Sequence, residues 1–320
     1  MSIEVNKNPL VTIGVPNYNY AHYIVAALES VVSQTYPNIE LLVVDDCSTD
    51  SSVEIINEWI YNYKGNVIVK FIENQANLGL SGTCNVILNN ASGVYYQTLD
   101  ADDLITADKV TLQIEVLIAN PDVAIIYSNA WIIDEDGLVK EKNYLSRIGY
   151  KSELMPEGNI FDQLFNANFI PLPTVLINTS MARKVGGYEN KYQVQDYFLW
   201  FKLAKDYPVL FQPLKLAYYR VHSNSMSNNP KSNLKSIDSV LRIKFQYFDE
   251  VQKPIKKIIK KNIHFATPMF YRYKDSNAEY WLKKDLVLNP GLKSLGYFIS
   301  YKIGIPYSFF AAFKKKDSKI

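Results

Sequence analysis

The first half of the chain alternates short runs rich in β-branched and aromatic residues with longer segments whose apolar residues recur at helical spacing. The spacing predicts strands over residues 10–15, 39–44, 67–72, 94–99 and 123–133, with helices over 20–33, 52–63, 80–89 and 107–119 between them. Strands and helices that take turns in this way form a mostly parallel central sheet covered by helices, an α/β fold, because each crossover returns the chain to the same end of the sheet. Ligands of such sheets gather at the carboxyl ends of strands. The polar residues of this chain do so too: Pro16-Asn17-Tyr18-Asn19 follows the first strand, Asp45-Asp46 the second, and Asp100-Ala101-Asp102-Asp103 the fourth. Three distant segments are therefore expected to converge on one crevice.

Further along, residues 140–168 are irregular, with Gly149, Pro156 and Gly158, and are expected to supply loops and a short helix. A strand over 173–177, helices over 180–185 and 197–205 and a strand region over 209–221 follow, and helices resume over 234–248 and 254–262. The polar stretch Ser225 to Pro230 sets a boundary near Asn229, giving a domain over residues 1–229 and a basic, mainly helical extension over 230–320.

Charge follows the same division. Residues 251–320 hold 15 Lys and Arg against 4 Asp and Glu, a balance of 15 − 4 = +11, so the remainder of a chain of net charge +2 carries 2 − 11 = −9. An acidic main domain is a poor platform for nucleic acid, whereas the basic extension suits phosphates or an anionic membrane. Cys47 and Cys84 are the only cysteines; they suit a reducing compartment and offer no zinc or redox spacing. The start of the sequence has no basic region followed by an apolar run, and the longest apolar stretch, 295–313, is broken by Lys302 and Pro306, so neither an export signal nor a membrane span is expected. Most of the 24 tyrosines are expected in the core or on half-wet surfaces.

The sharpest chemistry lies in Asp100-Ala101-Asp102. Two carboxylates one residue apart at a strand end can hold a hard divalent ion, magnesium or manganese, whose remaining positions take diphosphate oxygens. The bland reading is a turn, with Asp103 or Thr106 capping the following helix. Asp45 and Asp46 have two readings as well: a strand end before a helix capped by Ser48, Asp50 or Ser51, or carboxylates for a pyrimidine N–H or ribose hydroxyls. Asp196 precedes a helical run and is either its cap or a general base.

Taken in order, Val11 to Asn19, Val43 to Asp50, Asn77 to Asn85, Leu99 to Asp103 and Gln195 to Trp200 resemble the motifs of glycosyltransferase family 2, whose members have the nucleotide-binding GT-A fold. The resemblance spans roughly residues 8–223. It implies inverting transfer of a sugar from a nucleoside-diphosphate donor, a UDP-sugar first, to a hydroxyl of a glycan or lipid-linked glycan in surface polysaccharide synthesis. By it, the nucleotide contacts are Pro16, Tyr18, Asp45, Asp46, Asn77, Asp100, Ala101 and Arg220, with Asp46 on the base and Arg220 toward the diphosphate. Asp102 is the principal ligand of Mn2+ or Mg2+, His222 a further metal or acceptor contact, and Asp196 the base that deprotonates the acceptor. Two positions depart from the pattern: Cys84 stands where members commonly carry arginine, and Gln195 replaces the glutamate that usually precedes the catalytic aspartate. Those departures are the clues to the competing reading, a catalytically silent nucleotide-sugar or carbohydrate binder. A nicotinamide oxidoreductase would need a Gly-x-Gly-x-x-Gly loop after the first strand, and none is present.

In the extension, Ile255, Ile258 and Ile259 share one side of a helical pattern while Lys253, Lys256, Lys257, Lys260 and Lys261 crowd the rest. This is either a solvated face of a packed helix or an attachment to anionic lipid, aided by the aromatic residues of 297–313 and the terminal lysines. A cytoplasmic protein at the inner face of the membrane is the expected setting.

Overall fold

A computed structural model describes residues 8–141, 143–151, 154–222 and 230–309. The boundary expected near Asn229 and the lysines after residue 309 lie outside them. The chain divides into two compact units, Met1–Ser223 and Asn224–Ile320.

In the first unit β1 (Val11–Asn17), α1 (Ile24–Val32), β2 (Ile39–Asp45), α2 (Ser52–Asn62), β3 (Ile68–Glu73), α3 (Gly79–Asn90), β4 (Tyr95–Thr98), β5 (Leu104–Ile105), α4 (Lys109–Ala119), β6 (Ile125–Ile133) and β7 (Val139–Glu141) follow in turn. Then come two single-turn helices, α5 (Tyr144–Arg147) and α6 (Phe161–Leu164), then β8 (Leu176–Asn178), α7 (Thr179–Lys184), α8 (Gln195–Asp206) and β9 (Val209–Arg220). The sheet runs β3-β2-β1-β4-β8-β6-β9-β5, with β7 beside β6. Its first four strands are parallel, as the alternation predicts, and β6 runs parallel to β9. Short β8, β5 and β7 pair antiparallel, so the sheet is mixed at its later half.

Every residue of β1 and β2 is buried, as strands covered on both faces require. Ile24, Leu28 and Val31 of α1 join Val110, Ile114 and Leu117 of α4 in the main core, while Ile87 of α3 packs with Leu42 and Val44 in a separate cluster. Gly14 lets α3 come this close: a Cβ there would meet Ile87 Cγ2 at 2.1 Å. The buried Lys109 amine donates to Gln97 Oε1 at 2.6 Å, Gln113 Oε1 at 2.8 Å and the Val175 carbonyl at 2.9 Å, and burial pulls its pKa well down. All three of its donors are satisfied, so it ties β4, α4 and the approach to β8 together.

Two local differences from the pattern have physical causes. The strand expected over 173–177 begins only at Leu176, because Leu172–Thr174 forms a 3-10 turn between Pro171 and Val175, where prolines remove ladder donors. Leu104–Ile105 is a strand only because it pairs with Tyr218 and Ala217 of β9. That pairing holds the chain after the Asp100 to Asp103 turn against the strand that ends at Arg220.

The second unit contains α9 (Pro230–Gln246), α10 (Lys253–Arg272), α11 (Ala278–Leu288) and α12 (Leu292–Lys302). Ile255, Ile259, Ile263 and Phe270 of α10, Trp281 and Leu282 of α11, and Tyr297 of α12 are buried. Asp285 is a polar pin among these helices: it meets His264 Nδ1 at 3.0 Å and accepts from Asn289 Nδ2 at 2.8 Å and Ser294 Oγ at 2.9 Å. Among the described residues, no helix is long and apolar enough to cross a membrane.

Candidate active site

The parallel register sets Asn17 beside Asp45, which brings the loops after β1 and β2 together. Asp45 is buried and accepts from Asn17 Nδ2 at 2.7 Å, the Ser48 amide at 2.8 Å and Ser48 Oγ at 2.7 Å. Asn19, at φ 59°, accepts from the Thr49 amide at 2.8 Å, while its own amide donates to Ser48 Oγ at 2.9 Å. The helix start is served by Asp50, whose Oδ1 accepts from the Ser52 amide at 3.0 Å. Tyr18 stands at the tip of this doubly stitched loop, 44% exposed, free to stack on a ring; Pro16 is buried in β1.

Asp46 ties down the segment between β3 and α3. Its carboxylate is buried and accepts from Asn74 Nδ2, the Leu78 amide and the Gly79 amide, each at 2.8 Å. It thus closes the start of α3 by satisfying backbone donors that no helical carbonyl reaches. Asn77 serves the same turn, donating to the Asp46 carbonyl at 3.2 Å and accepting from the Gly79 amide at 3.1 Å. Both oxygens are already engaged in holding the loop.

The loop after β4 is built in the opposite sense. Carboxylate oxygens of Asp100, Asp102 and Asp103 lie within 4.8 Å of one another. Burial, then the charges of Asp102 and Asp196, push Asp100 up to about 8. Asp103 is also raised, by burial and then by Asp102 and Asp100, although the Arg220 amide donates to it at 2.8 Å. It does not cap α4, as one reading had it; it anchors the end of β9. Ala101 is buried, so it shapes the turn between the two outer acids.

Arg220 and His222 reach this turn from β9. The Arg220 guanidinium donates to the carbonyls of Asp102 at 2.7 Å, Asp134 at 2.8 Å and Glu135 at 3.0 Å, and lies 4.9 Å above the Tyr23 ring. Buried and held by backbone carbonyls, it braces the acidic turn. His222 Nε2 is 3.0 Å from an Asp102 carboxylate oxygen, with the side chain 3% exposed and that of Asp102 16%. Its ring lies 5.2 Å from Tyr23 and 6.2 Å from Tyr20. The Tyr20 hydroxyl is pushed up by burial and then by the charges of Asp102, Asp100 and Asp103.

Asp196 lies in the first turn of α8. Burial raises its pKa, and hydrogen bonds from its own turn and from Asn168 Nδ2 at 3.4 Å offset only part of that rise. Its charge acts on Asp100, and burial first, then the charges of Asp100, Asp196 and Asp46, raise the Cys84 thiol. Cys84 itself is 1% exposed and presents no cation to the cleft. Gln195, at the position before Asp196, is buried as well. Reading the motifs left out Asn17, Asn74, Tyr20, Tyr23 and Asn168. Asn17 lies inside the first motif and Tyr20 directly after it, and only the fold brings Asn168 to Asp196.

A mixed sheet whose strand ends carry an acid cluster, with Asp196 half-buried at the start of α8, is the setting in which the comparisons with known proteins are read. The sequence profile described as glycosyl transferase family 2 matches residues 12–183. The chain belongs to that family and has its GT-A fold. It is 30% identical over 251 residues, 78% of this chain and 89% of the other, to the UDP-Glc:alpha-D-GlcNAc-diphosphoundecaprenol beta-1,3-glucosyltransferase WfgD of Escherichia coli. To WfaP of the same organism, described by the same activity, it is 33% identical over 234 residues, 73% and 86% of the two chains. Among solved structures, the mannosyltransferase PcManGT of Pyrobaculum calidifontis, in complex with GDP-Man and Mn2+, aligns with TM-score 0.64 at 18% identity, over 98% of this chain and 88% of that one. TarS of S. aureus in complex with UDP aligns with TM-score 0.57 at 15% identity, over 92% of each chain.

Proposed function

We propose that this protein transfers a sugar, with inversion, from a UDP-sugar to a hydroxyl of a lipid-linked glycan in surface polysaccharide synthesis. The observation that carries the reading is the convergence of Asp100, Asp102 and Asp103, with His222 on Asp102 and the charge of Asp196 felt at Asp100. The two relatives named for transfer to GlcNAc-diphosphoundecaprenol support the acceptor class, and their UDP-Glc donor supports the nucleotide.

The donor set fits a hard divalent ion. Three carboxylates repel one another without a cation among them, and oxygen ligands with one imidazole suit Mg2+ or Mn2+ better than a thiolate-seeking metal. Asp102 would be the principal ligand, with Asp100 and His222 beside it. When bound, the ion stabilises negative charge that develops on the departing diphosphate. The protein's own groups do the rest. Tyr18 stacks on the base, and Arg220 keeps the acidic turn against β9 by holding three backbone carbonyls. Asp196, made more basic by burial, takes the proton of the acceptor hydroxyl as its oxygen bonds to the anomeric carbon and the bond to the diphosphate oxygen breaks. One displacement inverts the carbon.

The basic extension is assigned to contact with an anionic membrane, at the cytoplasmic face where nucleotide sugars are available. Mass spectrometry of a panel of UDP-, dTDP- and GDP-sugars with a lipid-diphosphate GlcNAc acceptor, with and without Mn2+, tests the reading. Product from a UDP-sugar with inverted linkage is expected; saturable donor binding without hydrolysis or transfer would instead identify a silent binder.

A further inference from the structure

The face of α12 that turns away from its own unit is apolar. Ser294, Tyr297 and Ser300 are buried, whereas Leu292, Leu295, Ile299 and Ile303 recur at helical spacing on the opposite side. Leu292 is 90% exposed and Ile303 67%. An ordinary surface helix would carry charge there. On α10 the buried side is Ile255, Ile259, Ile263 and Phe270, and the outward ridge reads Lys257, Lys261, Phe265 and Arg272, with the Lys261 amine 5.7 Å from the centre of the Phe265 ring. Among the described residues, no ion pair joins Lys257 or Lys261 to an acid.

We infer that α12 lays its Leu292, Leu295, Ile299 and Ile303 stripe into the headgroup layer of an anionic bilayer, while the Lys257 and Lys261 ridge of α10 draws the unit to that surface. This deepens the membrane contact assigned above and rests on it. Charge complementarity selects the occupant: residues 224–320 hold 19 Lys and Arg against 7 Asp and Glu, 19 − 7 = +12. A second copy of so positive a unit would be repelled. The stripe is also too small for a stable dimer, since an 11-residue helix is only about 16 Å long and such interfaces bury roughly 800 Å² per partner. Surface attachment rather than spanning follows from the length and charge of these helices.

The test is flotation of the full chain with phosphatidylcholine vesicles and with mixed phosphatidylcholine and phosphatidylglycerol vesicles, beside donor hydrolysis measured without lipid. The intact protein is expected to float only with the mixed vesicles, and to be released by high salt in part. Ile299→Ser with Ile303→Ser should weaken binding about tenfold, and Lys257→Glu with Lys261→Glu by at least as much, with hydrolysis unchanged in both. Serine replaces exposed side chains in the first variant, so circular dichroism should match the parent. The inference is overturned if the intact chain ignores both vesicle types, if the isoleucine pair binds like the parent, or if those substitutions instead convert a dimer to a monomer. Loss of donor hydrolysis by the parent itself would count against the transferase reading alone.

Discussion

Two acidic loops stand at the carboxyl ends of one sheet and use the same residue type in opposite ways. After β2, each carboxylate has its donors: three hydrogen bonds reach Asp45 and three reach Asp46. After β4, Asp100, Asp102 and Asp103 face one another, and burial with mutual repulsion lifts Asp100 and Asp103 far above the usual carboxylate range. The first loop is already satisfied by the protein; the second gathers acids that a bound cation would stabilise. Counting donors therefore separates a structural acid from a functional one where sequence position does not.

The comparison predicts different failures. Asp102→Asn should lower transfer roughly a thousandfold, through lost stabilisation of the leaving group, while the melting temperature stays level or rises because one repelling charge is gone. Asp196→Asn should reduce transfer by roughly a hundredfold with donor binding intact, measured as kcat against KM. Asp46→Ala should do the reverse: it strands the Leu78 and Gly79 amides and costs about 1–3 kcal/mol of stability by denaturant titration, with residual activity tracking the folded fraction. Intact stability with lost UDP affinity in that variant would return Asp46 to the base pocket.

A smaller effect concerns pH. Glu40 is drawn up by burial and drawn down further by hydrogen bonds from Lys70, Thr12 and Ser92, so its pKa is lowered overall. A depressed acid contributes stability that is complete above the ordinary glutamate pKa of about 4.3 and is lost as pH falls through the lowered value. Glu40→Gln should therefore flatten the acid limb of a melting-temperature profile and leave its neutral region lower.

Much of this was legible in the sequence. Strands β1 and β2 and helices α2 and α3 begin and end close to where the apolar rhythm puts them, because each element carries its own period. The two residues of β5 carry none; only β9 makes them a strand. Motif order located Asp100, Asp102 and Asp196 in one region. It could not show that the carbonyls of Asp134 and Glu135 hold the Arg220 guanidinium, because those residues meet it only through the fold. In the extension, the period of α12 is hidden, because an amphipathic pattern whose outward face is also apolar does not display a clear period.

Calorimetric titration of UDP into the protein, with and without Mn2+ and repeated on Asp102→Asn, bears most directly on the acid cluster. The account predicts binding at least about tenfold tighter with Mn2+ in the parent, and no such gain in the variant. Equal affinity in all conditions, or a Mn2+ effect that survives the substitution, would contradict it.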